Sequence, residues 1–368
     1  MILSVLELNN FRNYRRQRVE FAEGRNAIVG RNAQGKSNVL EAVYFLSHLR
    51  SPRAPRMREL LTEGETEAAV RGTVIDGEDR INIKAAFGET GRTIEVNARK
   101  VSGAARARGV LKCVLFAPDD LYLVKGEPAR RRGYFDETME ELGPLSATTV
   151  QQYRHVLRQR NALLKRWEIS ADLRKDLAPW DEALVSAGAE MVAGRLKMVA
   201  GIGRRLREAY MAVSGEDSDL EVEYRGALHA GAAEDAGAVE ELMRDALAGS
   251  AAEEKRARTT LVGPHRDDME ITLGGRGART SASQGEQRTI AFCLRVAQMR
   301  YLEEETGKEP VLLLDDVLSE LDGHRRKNLL QLLDRAGQSI LTATELPEQI
   351  EKSLDRLLLV EGGSVEVG

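Results

Sequence analysis

Eight residues near the N-terminus have the types and spacing of a phosphate-binding loop. The run Gly30-Arg31-Asn32-Ala33-Gln34-Gly35-Lys36-Ser37 matches the pattern of glycine, any four residues, glycine, lysine, and serine or threonine. The glycines let backbone N–H groups converge on a β-phosphate, and the start of a following helix adds positive potential. Lys36 would reach the β- and γ-phosphates, and the Ser37 hydroxyl would help to hold Mg²⁺. The pattern therefore predicts a nucleotide site.

Two adjacent carboxylates, Asp315 and Asp316, lie far from this loop in the sequence, after the apolar run Val311 to Leu314. Such a run is typical of a strand buried on both faces of a parallel sheet, where ligands bind at the carboxyl ends of the strands. Asp315 would hold Mg²⁺ through water, and Asp316 would polarise the attacking water. Alone, the pair could equally be an acidic turn. Together with Lys36, it predicts a catalytic site with Ser37 and Asp315 as metal ligands.

A third segment, Ser283-Gln284-Gly285-Glu286, precedes an apolar helix that we expect to begin near Arg288. A serine–X–glycine turn that opens a helix is a second anion-binding structure. A single triphosphate does not need two such structures from one chain, whereas two chains that face each other do. We therefore expect this signature segment to bind the nucleotide held by a second copy of the chain.

The elements that must position these residues differ along the sequence. Around the phosphate loop, Arg25 to Val29 is typical of a strand and Lys36 to Leu49 of a helix. Strand-like segments continue to about residue 125, and residues from about 128 to 213 are strongly helical. A further helix is predicted from about 238 to 256.

Within the helical region, apolar residues follow a heptad pattern. One seam consists of Leu177, Trp180, Leu184, Ala187, Met191, Gly194 and Met198. A second seam, interrupted by Arg160, lies upstream between residues 150 and 167. The two seams predict an antiparallel helical hairpin, although an ordinary amphipathic bundle explains most of these positions.

These motifs resemble the ABC-type ATPase heads of SMC and Rad50 proteins, and more closely the RecF family of bacterial recombination mediators. Further matching motifs are Leu8 to Tyr14 (LNNFRNY), Phe116 to Leu121 (FAPDDL), Arg130-Arg131-Arg132, Gly263 to Asp268 (GPHRDD) and Ser319 to Asp322 (SELD). The resemblance runs from residue 6 to about 345. It implies an α/β fold, a P-loop ABC-type ATPase head with an inserted, mainly helical second lobe that forms a short coiled-coil-like arm. The expected boundaries are 1–127 and 258–368 for the head and 128–257 for the arm.

The resemblance also implies a function in recombinational DNA repair and replication. A homodimer formed on ATP binding would clamp duplex DNA near gaps and single/double-strand junctions, and RecO and RecR would help it to load RecA. Arg12, Asn13 and Tyr14 would contact the nucleotide near its base.

Three departures from the wider ABC pattern bear on the rate of hydrolysis. Asp316 stands where a glutamate is usual, Thr344 stands where a switch histidine is usual, and the segment around Pro118 lacks the usual glutamine. Because these polarising groups are weaker or absent, we expect a weak ATPase. The resemblance implies that DNA stimulates it and that it acts as a switch.

Composition agrees with a DNA-binding protein that is not basic overall. The 368 residues carry a net charge of −4, but basic residues cluster in the first half of the chain. The candidate DNA contacts are Arg53, Arg56, Arg58, Arg130, Arg131 and Arg132. Aromatic residues make up only 5%, which favours phosphate contacts on duplex DNA over stacking on single strands.

Cysteine usage and hydropathy favour a cytoplasmic location. The two cysteines, Cys113 and Cys293, lie in apolar surroundings and are expected to be buried thiols in a reducing compartment. The sequence has neither a secretion signal at its start nor an apolar run of membrane-spanning length, so no membrane association is expected.

Two other functions remain open. The chain could be the nucleotide-binding subunit of a transporter, which Thr344, the signature segment and the helical arm disfavour. It could also be an SMC-like ATPase scaffold whose ATP site only holds the fold together, which an ATP-independent dimer would support.

Overall fold

A computed structural model describes residues 1–89, 91–102, 107–166, 168, 172–215, 219–226, 235–317 and 337–368. The strands are β1 (Ile2–Phe11), β2 (Tyr14–Glu20), β3 (Arg25–Val29), β4 (Glu67–Asp76), β5 (Asp79–Gly88), β6 (Gly91–Val96), β7 (Arg99–Lys100), β8 (Cys113–Phe116), β9 (Leu220–Arg225), β10 (Asp268–Leu273), β11 (Arg276–Gly277), β12 (Val311–Asp315), β13 (Ser339–Ala343), β14 (Arg356–Glu361) and β15 (Ser364–Val367). The α-helices are α1 (Lys36–His48), α2 (Leu121–Lys125), α3 (Pro128–Leu142), α4 (Pro144–Lys165), α5 (Leu173–Ser214), α6 (Ala236–Ala257), α7 (Ala278–Ser281), α8 (Gln284–Thr306) and α9 (Glu348–Glu351).

The chain divides into two compact units. The first unit comprises Met1–Leu121, Glu208–Asp217 and Ser283–Gly368, and the second comprises Tyr122–Arg207 and Ser218–Ala282. The functional boundaries expected from the sequence, 1–127, 128–257 and 258–368, stay a prediction.

The first unit contains a six-stranded sheet in the order β15-β14-β3-β13-β12-β8. Strands β14, β3, β13, β12 and β8 pair in parallel, and only β15 is antiparallel to its neighbour. Residues Val311–Leu314 of β12 are all buried, as the uninterrupted apolar run predicts for a central parallel strand. Because β3, β13 and β12 are neighbours, their carboxyl ends share one edge of the sheet.

A second, antiparallel sheet of this unit has the order β2-β1-β4-β5-β6-β7. Helix α1 is buried from Val39 to His48, which explains why its sequence is apolar on all sides rather than on one stripe. Its Phe45 packs against Phe11 of β1 and Phe87 of β5, with ring centroids 6.2 and 4.9 Å away. The helix that follows the phosphate loop is therefore held in a shared hydrophobic core.

In the second unit, α4 and α5 form the antiparallel pair that the two heptad seams predict. Thr149 near the start of α4 donates a 2.8 Å hydrogen bond to Glu190, whereas Arg160 near its end contacts Asp181 at 2.7 Å. The pairing thus runs in opposite directions along the two helices. Most seam residues of α5 are buried, including Leu184, Met191 and Met198, while Trp167 of the upstream seam lies outside the described residues.

The seam is interrupted at Arg160 because this side chain is part of a buried ion-pair network. Its guanidinium donates to Glu254 at 2.7 Å and to the hydroxyl of Thr260 at 2.9 Å, in addition to Asp181. Arg160 is 2% exposed and Glu254 is 1% exposed. Burial opposes the charge of Arg160, but its two carboxylate partners outweigh this effect and raise its pKa.

Arg160→Ala is expected to destabilise the protein by about 3–5 kcal/mol, because it leaves the Glu254 carboxylate buried without its cation. Chemical denaturation followed by circular dichroism measures the loss. Arg158→Ala, which removes an exposed arginine of the same helix, is the control and should change stability by less than about 0.5 kcal/mol. Equal effects of the two substitutions would contradict a structural role for Arg160.

Residues of the GPHRDD motif lie in the same unit and are held by buried polar contacts. Nε2 of His265 lies 3.1 Å from the carbonyl oxygen of Thr260, so Nε2 carries the proton and Nδ1 accepts from the hydroxyl of Tyr153 at 2.7 Å. Burial lowers the pKa of His265 to about 4. The histidine is therefore neutral near pH 7, and its motif ties α4 to the segment before β10.

The predicted environment of the cysteines is confirmed, since Cys113 and Cys293 are both buried and not in a disulfide. Burial raises the pKa of the Cys293 thiol. Within the described part of the chain, no helix is long and apolar enough to cross a membrane.

Candidate nucleotide site

The phosphate loop connects β3 to α1, and its two pattern glycines are required by their neighbours. Gly35 has a φ of 118°, and a Cβ there would lie 2.5 Å from Nδ2 of Asn13 and 2.6 Å from the hydroxyl of Tyr14. A Cβ on Gly30 would lie 2.3 Å from the carbonyl oxygen of Val360. Larger residues at either position would displace the loop from these supports. The middle of the loop, residues 31–33, is exposed.

The N-terminal motif lies beneath this loop. The hydroxyl of Tyr14 donates to the carbonyl oxygen of Gly35 at 3.0 Å, and Nδ2 of Asn13 donates to that of Gln34 at 2.9 Å. Tyr14 is 0% exposed, and burial raises the pKa of its hydroxyl. Tyr14 thus supports the backbone of the loop. Direct contacts of Asn13 and Tyr14 with the nucleotide stay predictions.

Arg12 is held by a carboxylate that sequence reasoning missed. Its Nε and Nη2 donate to the two oxygens of Glu41 in α1, both at 2.8 Å. Arg53 also contacts Glu41, at 2.6 Å, and donates to the carbonyl oxygen of Ser37 at 3.1 Å. Burial would raise the pKa of Glu41, but the hydrogen bonds from Arg12 and the charge of Arg53 lower it below its usual range. Glu41 thus links both arginines to the first turns of α1.

A signal for Glu41 was present in the sequence. It is the single carboxylate of α1 and lies in the otherwise apolar stretch Val39 to Leu46. A charged residue inside such a stretch indicates a buried partner of opposite charge. That partner, Arg12, is 29 residues away in the sequence, so the pattern alone does not identify it.

Lys36 is buried within the loop that it belongs to. Its Nζ donates to the carbonyl oxygens of Gly30 at 2.6 Å and Arg31 at 2.9 Å. Burial lowers the pKa of Lys36, and the charges of Asp316 and Asp315 act in the opposite direction. Both carboxylates thus interact electrostatically with the ammonium group. A bound anion would offset the cost of removing this charge from water.

The structure brings Ser37 and Asp315 together across the sheet edge. The Ser37 hydroxyl donates to Oδ1 of Asp315 at 2.7 Å, and the hydroxyl of Thr342 donates to the same oxygen at 2.8 Å. Thr342 in turn accepts a 3.0 Å hydrogen bond from the backbone N–H of Asp316. Asp316 has a φ of 51°, in the left-handed region, so the chain bends directly after β12.

The donor set around Asp315 fits a hard divalent cation. A hydroxyl and a carboxylate oxygen already meet at hydrogen-bond distance, and Mg²⁺ prefers such oxygens. The described residues contain no group of three or more His, Cys, Asp or Glu side chains that could hold a metal. At nucleotides, Mg²⁺ is usually held by one or two protein oxygens together with phosphate oxygens.

The signature segment opens a long helix, four residues earlier than expected. Helix α8 begins at Gln284 rather than near Arg288 because Ser283 caps it: the Ser283 hydroxyl accepts from the N–H of Glu286, and the Glu286 carboxylate accepts from the N–H of Ser283. Ser283 and Gln284 are exposed, and Gly285 and Glu286 are partly exposed. The segment is held by its own turn, whereas the phosphate loop is held by the N-terminal motif and Asp315. The SELD motif lies outside the described residues.

The six candidate DNA contacts have different environments. Arg56, Arg58 and Arg130 are exposed. Arg131 is 4% exposed and bound through Nε and Nη2 to Asp268 at 2.6 and 2.8 Å, and its contact with DNA stays a prediction. Arg53 is anchored to Glu41, and Arg132 donates to the carbonyl oxygen of Asp267 at 3.0 Å.

Comparisons with known proteins agree with this arrangement. Residues 2–361 match the family model described as the RecF/RecN/SMC N terminal domain. The chain is 38% identical to the DNA replication and repair protein RecF of Symbiobacterium thermophilum, over 99% of this chain and 98% of the relative. It also matches a solved structure of the recombination mediator protein RecF-ATPrS in the RecFOR pathway, with 34% identity and a TM-score of 0.91 over 100% of this chain and 98% of that one.

A more distant match supports the fold alone. An SMC head bound to the C-winged helix domain of ScpA superposes with a TM-score of 0.57 at 17% identity, over 100% of this chain and 97% of that one. The predicted α/β fold with an ABC-type ATPase head is therefore confirmed.

Proposed function

The chain belongs to the RecF family, and on this premise we propose that it is an ATP-dependent DNA-binding protein of DNA replication and repair. In this proposal, ATP binding joins two copies of the chain into a clamp on duplex DNA near a gap or a single/double-strand junction, and slow hydrolysis releases the clamp. The observation that carries the proposal is the convergence of Lys36, Ser37 and Asp315 at one edge of the parallel sheet.

Each of these residues has a defined task at a bound triphosphate. Lys36 would turn its ammonium group from the loop carbonyls to the β- and γ-phosphates, where its charge is neutralised. Ser37 and Asp315 would hold Mg²⁺, which when bound neutralises charge on the phosphate oxygens. Thr342 would keep Asp315 in position through its 2.8 Å hydrogen bond. Asp316, which directly follows Asp315 at the carboxyl end of β12, would orient the attacking water.

The two halves of a complete site would come from two chains. The exposed signature segment at the start of α8 presents a hydroxyl and a helix N-terminus, which together suit the γ-phosphate of a partner's nucleotide. The contact would exist only while that phosphate is present, so ATP would hold the dimer together and hydrolysis would open it.

The cellular setting follows from the relatives. A solved relative is named as a recombination mediator protein in the RecFOR pathway, which supports RecO and RecR as partners. We propose the loading of RecA as the outcome. We place the protein in the cytoplasm. We also propose that turnover is weak and stimulated by DNA; the weakness is consistent with Asp316, whose side chain is one methylene shorter than the glutamate usual in ABC heads.

Sedimentation velocity with two carboxylate variants tests the proposal. Asp316→Asn should bind ATP and hydrolyse it poorly, so its ATP-bound dimer should accumulate, whereas Asp315→Asn should lose Mg²⁺-dependent ATP binding and stay monomeric. The wild type should dimerise with ATP and bind duplex DNA in that state. Glu345→Gln, a change of an exposed carboxylate after β13, is the control and should behave as wild type.

Two results would contradict the proposal. A dimer that forms equally well without ATP would favour an SMC-like scaffold whose nucleotide only holds the fold together. Identical behaviour of Asp315→Asn and Asp316→Asn would show that the adjacent carboxylates do not have separate roles.

A further inference from the structure

Helix α4 of the second unit has an unusual distribution of charge. Residues 144–166, which comprise the helix and its C-cap, contain five arginines and lysines and no aspartate or glutamate. Its neighbours in the unit are mixed in sign: in α6, Arg244 pairs with Glu240 of the same helix and with Glu182 of α5. The acid-free sequence is thus specific to α4 among these three helices.

The basic residues of α4 fall into two groups with different environments. Arg154 and Arg160 meet four carboxylates: Arg154 contacts Asp136 at 2.7 Å and Glu140 at 3.0 Å, and Arg160 contacts Asp181 and Glu254. Arg160 is buried and accounts for the interrupted apolar seam, whereas the side chain of Arg154 is 36% exposed. Both charges are paired with carboxylates of the protein.

The remaining three cations, Arg158, Lys165 and Arg166, are exposed. Within the described part of the chain, none of the three has an acidic partner within ion-pair distance. We define them as the α4 stripe. At about 100° per residue they lie within about one third of the helix circumference, and Arg158 and Lys165 are two turns or about 10 Å apart.

Several neighbours of the α4 stripe on this helix are polar. Exposed Gln152, His155 and Gln159 lie beside the α4 stripe, and side chains of this kind donate hydrogen bonds to phosphate oxygens. Lys165 and Arg166 also suit the negative end of the helix dipole, because they lie at its C-terminus. Arg158 lies in the middle of the helix, where the dipole gives no reason for an unpaired cation.

We propose that the α4 stripe binds the phosphate backbone of duplex DNA, a site distinct from the arginines singled out in the sequence. The absence of any carboxylate from the sequence of α4 fits a polyanion that presents phosphates at short, regular intervals. Arginine, lysine and glutamine side chains suit contacts to the DNA backbone. The inference rests on the proposed function, since it specifies where the second unit touches the DNA.

Binding of a fluorescent duplex, measured by anisotropy at several salt concentrations with ATP and Mg²⁺ present, tests the site. Arg158→Gln with Lys165→Gln should weaken binding to all sequences alike and reduce the slope of log K against log salt by about 2, and each single change should reduce it by about 1. Glutamine keeps the helix, because it is a good helix former.

The matched control is Arg207→Gln with Arg225→Gln, which removes the same charge from the same unit. These arginines are also exposed, but each pairs with carboxylates, so the salt slope should not change.

An unchanged slope in the α4 double variant, with normal binding by the wild type, would overturn this inference alone. A wild type that binds no duplex would overturn the proposed function. Equal losses in the α4 variant and the control would show a general effect of net charge and would also overturn the α4 site.

Discussion

Lys36→Ala is expected to raise the Kd for ATP by about two to three orders of magnitude. The substitution removes the buried ammonium group of the loop, and two charge-assisted hydrogen bonds to phosphate are together worth about 3–5 kcal/mol. Lys36→Arg should keep much of the binding but lose hydrolysis, because a planar guanidinium cannot place its charge where the ammonium does. Isothermal titration calorimetry and a phosphate-release assay measure the two effects.

Lys352→Ala is the matched control for Lys36. Lys352 is an exposed lysine of the same unit whose partner is Glu348, one helical turn away, so its loss should leave ATP binding unchanged. Thermal melting without nucleotide would show whether Lys36→Ala still folds. Wild-type ATP affinity and turnover in Lys36→Ala would refute the phosphate-loop assignment.

Ser283→Arg is expected to abolish dimerisation, hydrolysis and tight duplex binding together, while each monomer still binds ATP. The substitution places a bulky cation where a hydroxyl and a helix N-terminus should meet the partner's γ-phosphate, and it leaves the phosphate loop untouched. It also removes the cap of α8, at a cost of about 1 kcal/mol. Ser283→Asp keeps a capping oxygen but repels the phosphate, so it should fail in the same way.

Loss of a cap by itself can be tested elsewhere in the chain. Asp235 caps α6 by accepting from the N–H of Gly237, and Asp235→Ala should lower stability without affecting ATP hydrolysis.

The assignment of Ser283 to the partner's site is tested by mixing Ser283→Arg with Lys36→Ala. A mixed dimer keeps one intact composite site, so partial ATPase activity should return. No recovery, although mixed dimers demonstrably form, would contradict action between chains.

Features formed by residues that are adjacent in the chain could be predicted from the sequence alone. The phosphate loop is contiguous, and its glycines, lysine and serine act through local backbone geometry between one strand and one helix. The strand before Asp315 was predicted because four successive apolar residues suit a strand buried on both faces. The helical hairpin was predicted because apolar residues repeat in a heptad pattern along each of its two helices. Each of these signals lies within a short stretch of chain.

Which charged side chains are paired with other residues of the protein is visible only in the folded structure. The sequence did not show that Glu41 binds Arg12 and Arg53, or that Asp268 binds Arg131 from 137 residues away. Likewise, the hydroxyl of Tyr14 donates its hydrogen bond to a carbonyl of the loop itself. Arg158 and Arg160 lie two residues apart on one helix, but the first is exposed and the second is buried. The energy of a charge depends on its burial and its partner. Both come from elements that are distant in sequence, so only the folded chain assigns them.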